Sequence, residues 1–189
     1  MRALRVAVLP LALLSCVPLA CDGSQNAPIV PVVVAPAPPV AVPVAVPVPA
    51  KPMGPMHSVV LKDLDGKDVA LAQYAGRPMI IEIWATWCGP CRANRAAFHA
   101  VYKDIPERVV LIAASSDTGS QLVKDFLKTN ASDGLELMAT PALYAAIKAH
   151  DPGMTIPKTV YIDSKGNVID VAQGTQSQTW IKAMSKNLR

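Results

Sequence analysis

Met79-Ile80-Ile81-Glu82-Ile83-Trp84, a dense apolar run broken by one acid, leads straight into Ala85-Thr86-Trp87-Cys88-Gly89-Pro90-Cys91-Arg92 and then into a helical pattern. A run so rich in β-branched and aromatic side chains suits a central strand buried on both faces. Proline is tolerated in the first turn of a helix, where its missing N–H is not needed. Cys88 is therefore expected at the carboxyl end of a central strand, where the chain turns into a helix, with Cys91 one turn further in. The free amides and the dipole at that helix end favour negative charge, so a thiolate at Cys88 is stabilised.

Three kinds of chemistry compete for such a pair. A zinc site needs four ligands, usually supplied by a second Cys or His pair at fixed spacing; His57, His99 and His150 offer no such pair. A static staple across two residues contributes little, because so short a loop has little closure entropy to remove. Thiol-disulfide exchange requires an ionisable first sulfur and a second one near enough to resolve a mixed disulfide, and the spacing supplies both. Pro90 stiffens the loop between them.

Around this strand the pattern is mixed. Ser58 to Lys62 and Lys67 to Leu71 are short alternating segments about Leu64-Asp65-Gly66, a hairpin signal. A helix is expected from about Pro90 to Asp104, with Ala93, Ala96, Ala97, Ala100 and Val101 on its apolar side. Val109 to Ala114 reads as a buried strand, Ser120 to Thr129 as a helix carrying Leu122, Val123, Phe126 and Leu127, and Pro141 to Lys148 as a shorter helix. Thr159 to Ile162 and Val168 to Ala172 form a second hairpin, and Gln178 to Leu188 a closing helix. The order implies an α/β chain with a mixed central sheet flanked by helices, that of a thioredoxin-like fold with an added N-terminal β-hairpin and an inserted helix.

The first fifty or so residues read differently. Met1-Arg-Ala-Leu-Arg5 precedes an uncharged apolar stretch from Val6 to Ala20, the layout of an export signal. A membrane anchor is the competing reading, but the stretch is shorter than the ~20 apolar residues a spanning helix needs and contains Pro10 and Pro18. Leu13-Leu14-Ser15-Cys16 and Leu19-Ala20-Cys21 both resemble the lipoprotein cleavage box, so either Cys16 or Cys21 is the expected lipidation site. Residues 28 to 55 contain ten prolines in 28 positions. So many missing or locked amides exclude ladder and helix, leaving a polyproline stalk or a disordered linker; extended, it would reach on the order of 85 Å. The expected organisation is a signal segment over 1–20, a stalk over 21–55 and one domain over 56–189.

From Met56 onward the chain has 15 basic and 13 acidic residues, a net of +2 with the signs interspersed. With no polybasic run, nucleic acid is not an expected partner. Nor does a lone close cysteine pair make a disulfide scaffold.

The stretch Trp84 to Arg92 resembles the active site of TlpA/ResA-like thioredoxin-fold oxidoreductases. The likeness extends over Ser58 to Arg189, with Leu64-Asp65-Gly66-Lys67 ahead of the strand and Ile156-Pro157-Lys158-Thr159-Val160-Tyr161-Ile162-Asp163 after it. The resemblance implies a membrane-tethered, exported enzyme facing the periplasm or cell exterior. It would exchange dithiol for disulfide with protein substrates, as a reductant of the cytochrome c maturation type, fed by a membrane or periplasmic electron-donor protein. No metal or cofactor beyond a Cys88–Cys91 disulfide is expected, and the chain is expected to be monomeric. By the same resemblance Pro157 is a cis-proline, and Trp87, Gly89, Pro90, Thr155, Ile156 and Pro157 border the substrate. Trp87 would shield the pair or simply pack, and Met154 would sit in the core or on the groove rim. The alternatives from other classes are a non-catalytic groove-binding module and a Cys-pair copper chaperone.

Glu82 shares a strand face with Ile80 and Trp84, and a carboxylate there is costly unless paired or neutral. A core acid satisfied by a lysine is one reading. The other rests on the resemblance: Glu82 stands six residues before the first cysteine, where thioredoxins carry a buried aspartate, and would relay a proton to and from Cys91. TlpA/ResA relatives commonly carry their acid six residues after that cysteine, a position held here by Asn94. Asn94 is accordingly expected to have no chemical duty, and Arg92 and Arg95 to be solvated or to add positive potential near Cys88.

Overall fold

The computed structural model describes residues 54–189. The expected signal segment, both candidate lipidation cysteines and the proline-rich stretch up to residue 53 lie outside the described residues.

The strands are β1 (Val60–Asp63), β2 (Asp68–Ala70), β3 (Met79–Trp84), β4 (Val110–Ser115), β5 (Leu135–Met138), β6 (Lys158–Ile162) and β7 (Val168–Gln173), and the helices are α1 (Gly89–Val101), α2 (Ser120–Leu127), α3 (Pro141–Ile147) and α4 (Gln178–Asn187). The strands form one mixed sheet in the order β2-β1-β5-β4-β3-β6-β7. β3 runs parallel to β4 and antiparallel to β6, and all six of its residues are buried. The β1–β2 hairpin turns through Gly66 at φ 85°, a left-handed conformation that glycine adopts without a Cβ penalty.

Alternation along β3 divides the core. Ile81 and Ile83 pack on one face with Ile112, Val160 and the α3 residues Leu143 and Ile147. Ile80 points to the other face, with Phe98 and Val101 of α1 and Ile181 of α4. Trp84 joins both cysteines, Ala113 and Val123. Each fully buried isoleucine contributes roughly 1.5–3 kcal/mol of burial free energy.

Two expectations need correction here. The core face of α1 is not the alanine side: Cys91, Asn94, Phe98 and Val101 are buried, whereas Ala93, Ala96 and Ala100 are exposed. The helix register puts positions 91, 94, 98 and 101 against the sheet, with Ala97 partly buried beside them, and leaves the other alanines on the solvent side. The α-helix also ends at Val101, with a tighter 3-10 turn over Tyr102–Asp104. The second correction is an addition. The insertion between α2 and β6 contains a strand, β5, as well as the helix α3; β5 pairs parallel to β4 and antiparallel to β1, and so joins the hairpin to the rest of the sheet.

Candidate active site

β3 delivers the chain to its carboxyl end, and the segment between Trp84 and α1 is held there from both sides. Ser116 N–H donates to the Trp84 carbonyl at 2.7 Å. Asp117 accepts from Thr86 twice, from the backbone N–H at 2.9 Å and from the hydroxyl at 2.8 Å, and Ser115 Oγ donates to the same carboxylate at 2.7 Å. The sequence reading did not single out Asp117; its signal was an acid two residues past the end of a buried strand, on the neighbouring strand's exit. The aspartate fixes the turn that presents Cys88.

Cys88 is the N-cap of α1. Its Sγ accepts from the Cys91 backbone N–H at 3.2 Å, so the helix start is satisfied by sulfur instead of the usual oxygen. The two cysteines are joined by a disulfide, with Cα atoms 5.2 Å apart. Cys88 is 6% exposed and Cys91 fully buried, which fixes which sulfur an incoming partner reaches first. Gly89 and Pro90 are exposed beside them, and nothing lies within 4 Å of where a Cβ on Gly89 would be.

The opposite lip comes from the segment before β6. The Ile156–Pro157 peptide is cis, and the Ile156 carbonyl oxygen lies 4.0 Å from Cys88 Sγ. Thr155 is exposed and Pro157 buried. Behind this lip Lys158 and Asp151 form a buried ion pair, and Lys158 Nζ also donates to the Gly153 carbonyl. Trp87 is 69% exposed and Met154 68% exposed, so neither packs in the core. Together with Asp117, Thr140, Tyr144 and Ile156 they line an open groove of about 540 Å³, whose Trp87 and Ile156 walls flank Cys88 in sequence and across the 4.0 Å sulfur–carbonyl contact. Met154 thus belongs to the rim.

Beneath the cysteines lies Glu82, 4% exposed. It is not satisfied by a lysine. Asn94 Nδ2 donates to Glu82 Oε1 at 2.8 Å, and Asn94 Oδ1 accepts from the Gln176 backbone N–H at 2.7 Å. A backbone N–H can only donate, so the Gln176 contact fixes which end of the amide is oxygen and leaves the NH₂ for Glu82. The expectation that Asn94 has no duty is therefore wrong: it holds the carboxyl in place, one helical turn beyond Cys91 on the same side of α1.

Arg95 also departs from its solvated expectation. Its guanidinium stacks 4.1 Å from the Trp84 ring, lies 2.6 Å from Glu136 Oε1 and comes within 3.9 Å of Glu82 Oε2. Arg92, by contrast, is exposed. Burial pushes the Glu82 carboxyl from its ordinary 4.5 up to about 7; the Asn94 hydrogen bond and the Arg95 charge pull against the rise, and the Glu136 charge adds to it. A cavity of about 30 Å³ borders Glu82, Arg95 and Ser132, about the volume one water occupies in the liquid. Among the described residues no group of three or more His, Cys, Asp or Glu could hold a metal ion.

The arrangement can accept and release electrons as a sulfur pair, with a buried protonatable group on the strand that leads into it, held by Asn94 of the helix that carries Cys91. Comparison with known proteins gives the same chemistry. The Redoxin family model matches residues 44–188. The chain is 27% identical over 137 residues to the thiol-disulfide oxidoreductase ResA of Bacillus thuringiensis subsp. konkukian, covering 68% of this chain and 73% of that one. Among solved structures, a thiol:disulfide interchange protein of the thioredoxin family from Chlorobium tepidum superposes with a TM-score of 0.58 at 29% identity, over 72% of this chain and 96% of that one. StoA from Bacillus subtilis, at 21% identity, shares the fold with a TM-score of 0.54 over 67% and 95% of the two chains. A disulfide at the mouth of a thioredoxin-like sheet, and a family match over most of the chain, together place this protein in the Redoxin family as a TlpA/ResA-like thiol-disulfide oxidoreductase.

Proposed function

We propose that the chain is an exported, lipid-anchored enzyme that reduces disulfides in protein substrates, with Cys88 as the attacking sulfur, Cys91 as the resolving one and Glu82 as the proton carrier. The observation that carries the roles is the difference in access: Cys88 caps the helix at the surface while Cys91 is sealed beneath it. In the reduced enzyme the Cys88 thiolate attacks one sulfur of the substrate disulfide, forming a mixed disulfide and expelling a substrate thiolate. Glu82 then takes the Cys91 proton. The Cys91 thiolate attacks Cys88 Sγ, the second substrate sulfur leaves as a thiolate, and the enzyme is left with its own disulfide and a protonated Glu82. A membrane or periplasmic electron-donor protein returns two electrons, and the Glu82 proton goes back to Cys91.

The substrate is a cysteine-bearing segment lying between Trp87 and the Thr155–Ile156 backbone, with Gly89 and Pro90 leaving the approach open. Running as a reductant is supported by the Gly-Pro pair between the cysteines and the acid beneath them, features of thioredoxin at about −270 mV as against about −120 mV for a strong oxidant. Export and lipidation at Cys16 or Cys21 are supported by the basic-then-apolar leader, and cytochrome c maturation-type thiol reduction as the setting by the family likeness.

The test is insulin-disulfide reduction with and without Cys88→Ser, together with the reduction potential against glutathione. Loss of turnover in the variant and a potential near that of thioredoxin are expected; a potential near the oxidant value would reverse the direction of flow. Glu82→Gln is expected to slow resolution of a trapped mixed disulfide by about 100-fold and to leave the first attack nearly unchanged. Equal slowing of both steps would remove Glu82 from the proton path.

A further inference from the structure

The strand register places a second acid level with Glu82. Glu82 pairs with Ala113 across β3 and β4, and Ala113 pairs with Glu136 across β4 and β5. The two glutamates thus stand in one transverse row on the α1 face, two strand spacings or about 10 Å apart at the backbone, with only a methyl group between them. Arg95 descends from α1 into that gap.

The guanidinium is not shared evenly. It makes a 2.6 Å contact with Glu136, which also accepts from Ser132 Oγ at 2.5 Å, and stands 3.9 Å from Glu82. The Glu136 side chain is 7% exposed and its Oε2 is buried without a partner among the described residues. Ionising both acids would leave two negative charges against one positive charge out of water, which is costly, so the cluster retains one proton. The closer, charge-assisted contact places the cation on Glu136 and leaves Glu82 the more distant partner.

We propose that Glu136 and Arg95 are positioning residues for the redox reaction: Glu136 claims the guanidinium and thereby leaves Glu82 without a full counter-ion, as the acid that holds the exchangeable proton beneath Cys91. The inference rests on the proton-carrier reading of Glu82. The remaining groups facing Glu82 fit it. From α1 comes Asn94; from β6 come Thr159 and Tyr161, the latter next to Asp170 of β7; and Asp133 borders the small cavity. None of these is a cation that could replace Arg95.

The experiment is an infrared titration of the oxidised full chain, following the carbonyl stretch of the protonated carboxylic acid, with Glu82→Gln identifying the band. Glu136→Gln frees Arg95 for Glu82, and the midpoint is expected to fall by about one pH unit or more. Arg95→Gln removes the cation, and the midpoint is expected to rise by a similar amount. Ser132→Ala, at an exposed site that does not threaten folding, loosens the grip on Glu136 and is expected to move the midpoint in the Glu136→Gln direction by less. A band that disappears in Glu136→Gln and persists in Glu82→Gln would overturn the assignment, as would midpoints that move in the same direction, or not at all, in Glu136→Gln and Arg95→Gln. Rates of mixed-disulfide resolution, measured on the same variants, separate the two readings: midpoints that move as expected while the rates stay fixed would keep the charge arrangement of the cluster but remove Glu82 from catalysis, and with it the positioning role of Glu136 and Arg95.

Discussion

Two clusters of buried charge hang on neighbouring strands and behave oppositely. On β6, Lys158 is fully buried opposite Ile83 of β3 and is matched one to one by Asp151, whose carboxyl it holds below the ordinary carboxylate value. On the other face of β3, Glu82 and Glu136 face a single Arg95, and Glu82 is raised to about 7. The matched pair fastens the segment that carries Ile156 to the sheet. The unmatched set raises the Glu82 carboxyl and, on our proposal, keeps a proton that can leave. The number of opposite charges available to a buried acid is what differs between the two clusters.

The sharpest way to break this contrast is Lys158→Met. It strands Asp151 in the interior, and about 3–5 kcal/mol of stability should be lost at pH 7, read as a lower urea midpoint. Because the Asp151 carboxyl is depressed in the folded state, the pair's contribution is present above the ordinary 3.8 and lost as pH falls through the lower folded value. The penalty of Lys158→Met should therefore shrink in acid. A loss below about 1 kcal/mol would mean the pair does not hold the lip.

Glu82→Gln sharpens the other half. A carboxyl raised in the folded state binds its proton more tightly there, so wild-type stability falls as pH rises from 4.5 to about 7 and is flat above. Glutamine lacks that loss, and unfolding curves of the variant should gain about 2.5 kcal/mol on wild type between pH 5 and pH 8. Parallel pH profiles for the two proteins would show that Glu82 is already neutralised by its neighbours.

Smaller effects test the groove side. Asp117→Ala leaves the Thr86 N–H and the Ser115 hydroxyl without their acceptor, and about 1–3 kcal/mol should be lost in chemical denaturation. Trp87→Ala should change stability by no more than about 0.5 kcal/mol, since the ring is solvent-exposed, while KM for a protein disulfide rises. A large stability loss would assign Trp87 to packing.

Much of this was legible before any coordinates. Met79–Trp84 announced a central strand because six residues in a row had to be buried, and the cysteine pair announced its own chemistry because a strand end, a helix start and Pro90 leave few alternatives. Asn94, Arg95 and Glu136 were not legible. Asn94 meets Glu82 of β3 and the Gln176 backbone, partners distant in the chain, while the pairing of Arg95 with Glu136 depended on β5. That strand spans four residues and shows no clean alternation: Leu135 is exposed although Leu137 on the same face is buried, and the Glu136 side chain is buried on the opposite face. A charged residue pointing inward hides a strand from any reading based on apolar periodicity. The α1 error had a related source, since alanines mimic an apolar stripe where the true contacts come from Phe98 and Val101.

The insertion between α2 and β6 reaches both ends of the catalytic centre. Its helix brings Pro141 and Tyr144 to the wall where a partner protein would lie, and its strand brings the carboxylate that competes for Arg95. On the proposals above, this one segment contributes to partner choice and to proton affinity through different side chains, Tyr144 on the groove and Glu136 on Arg95.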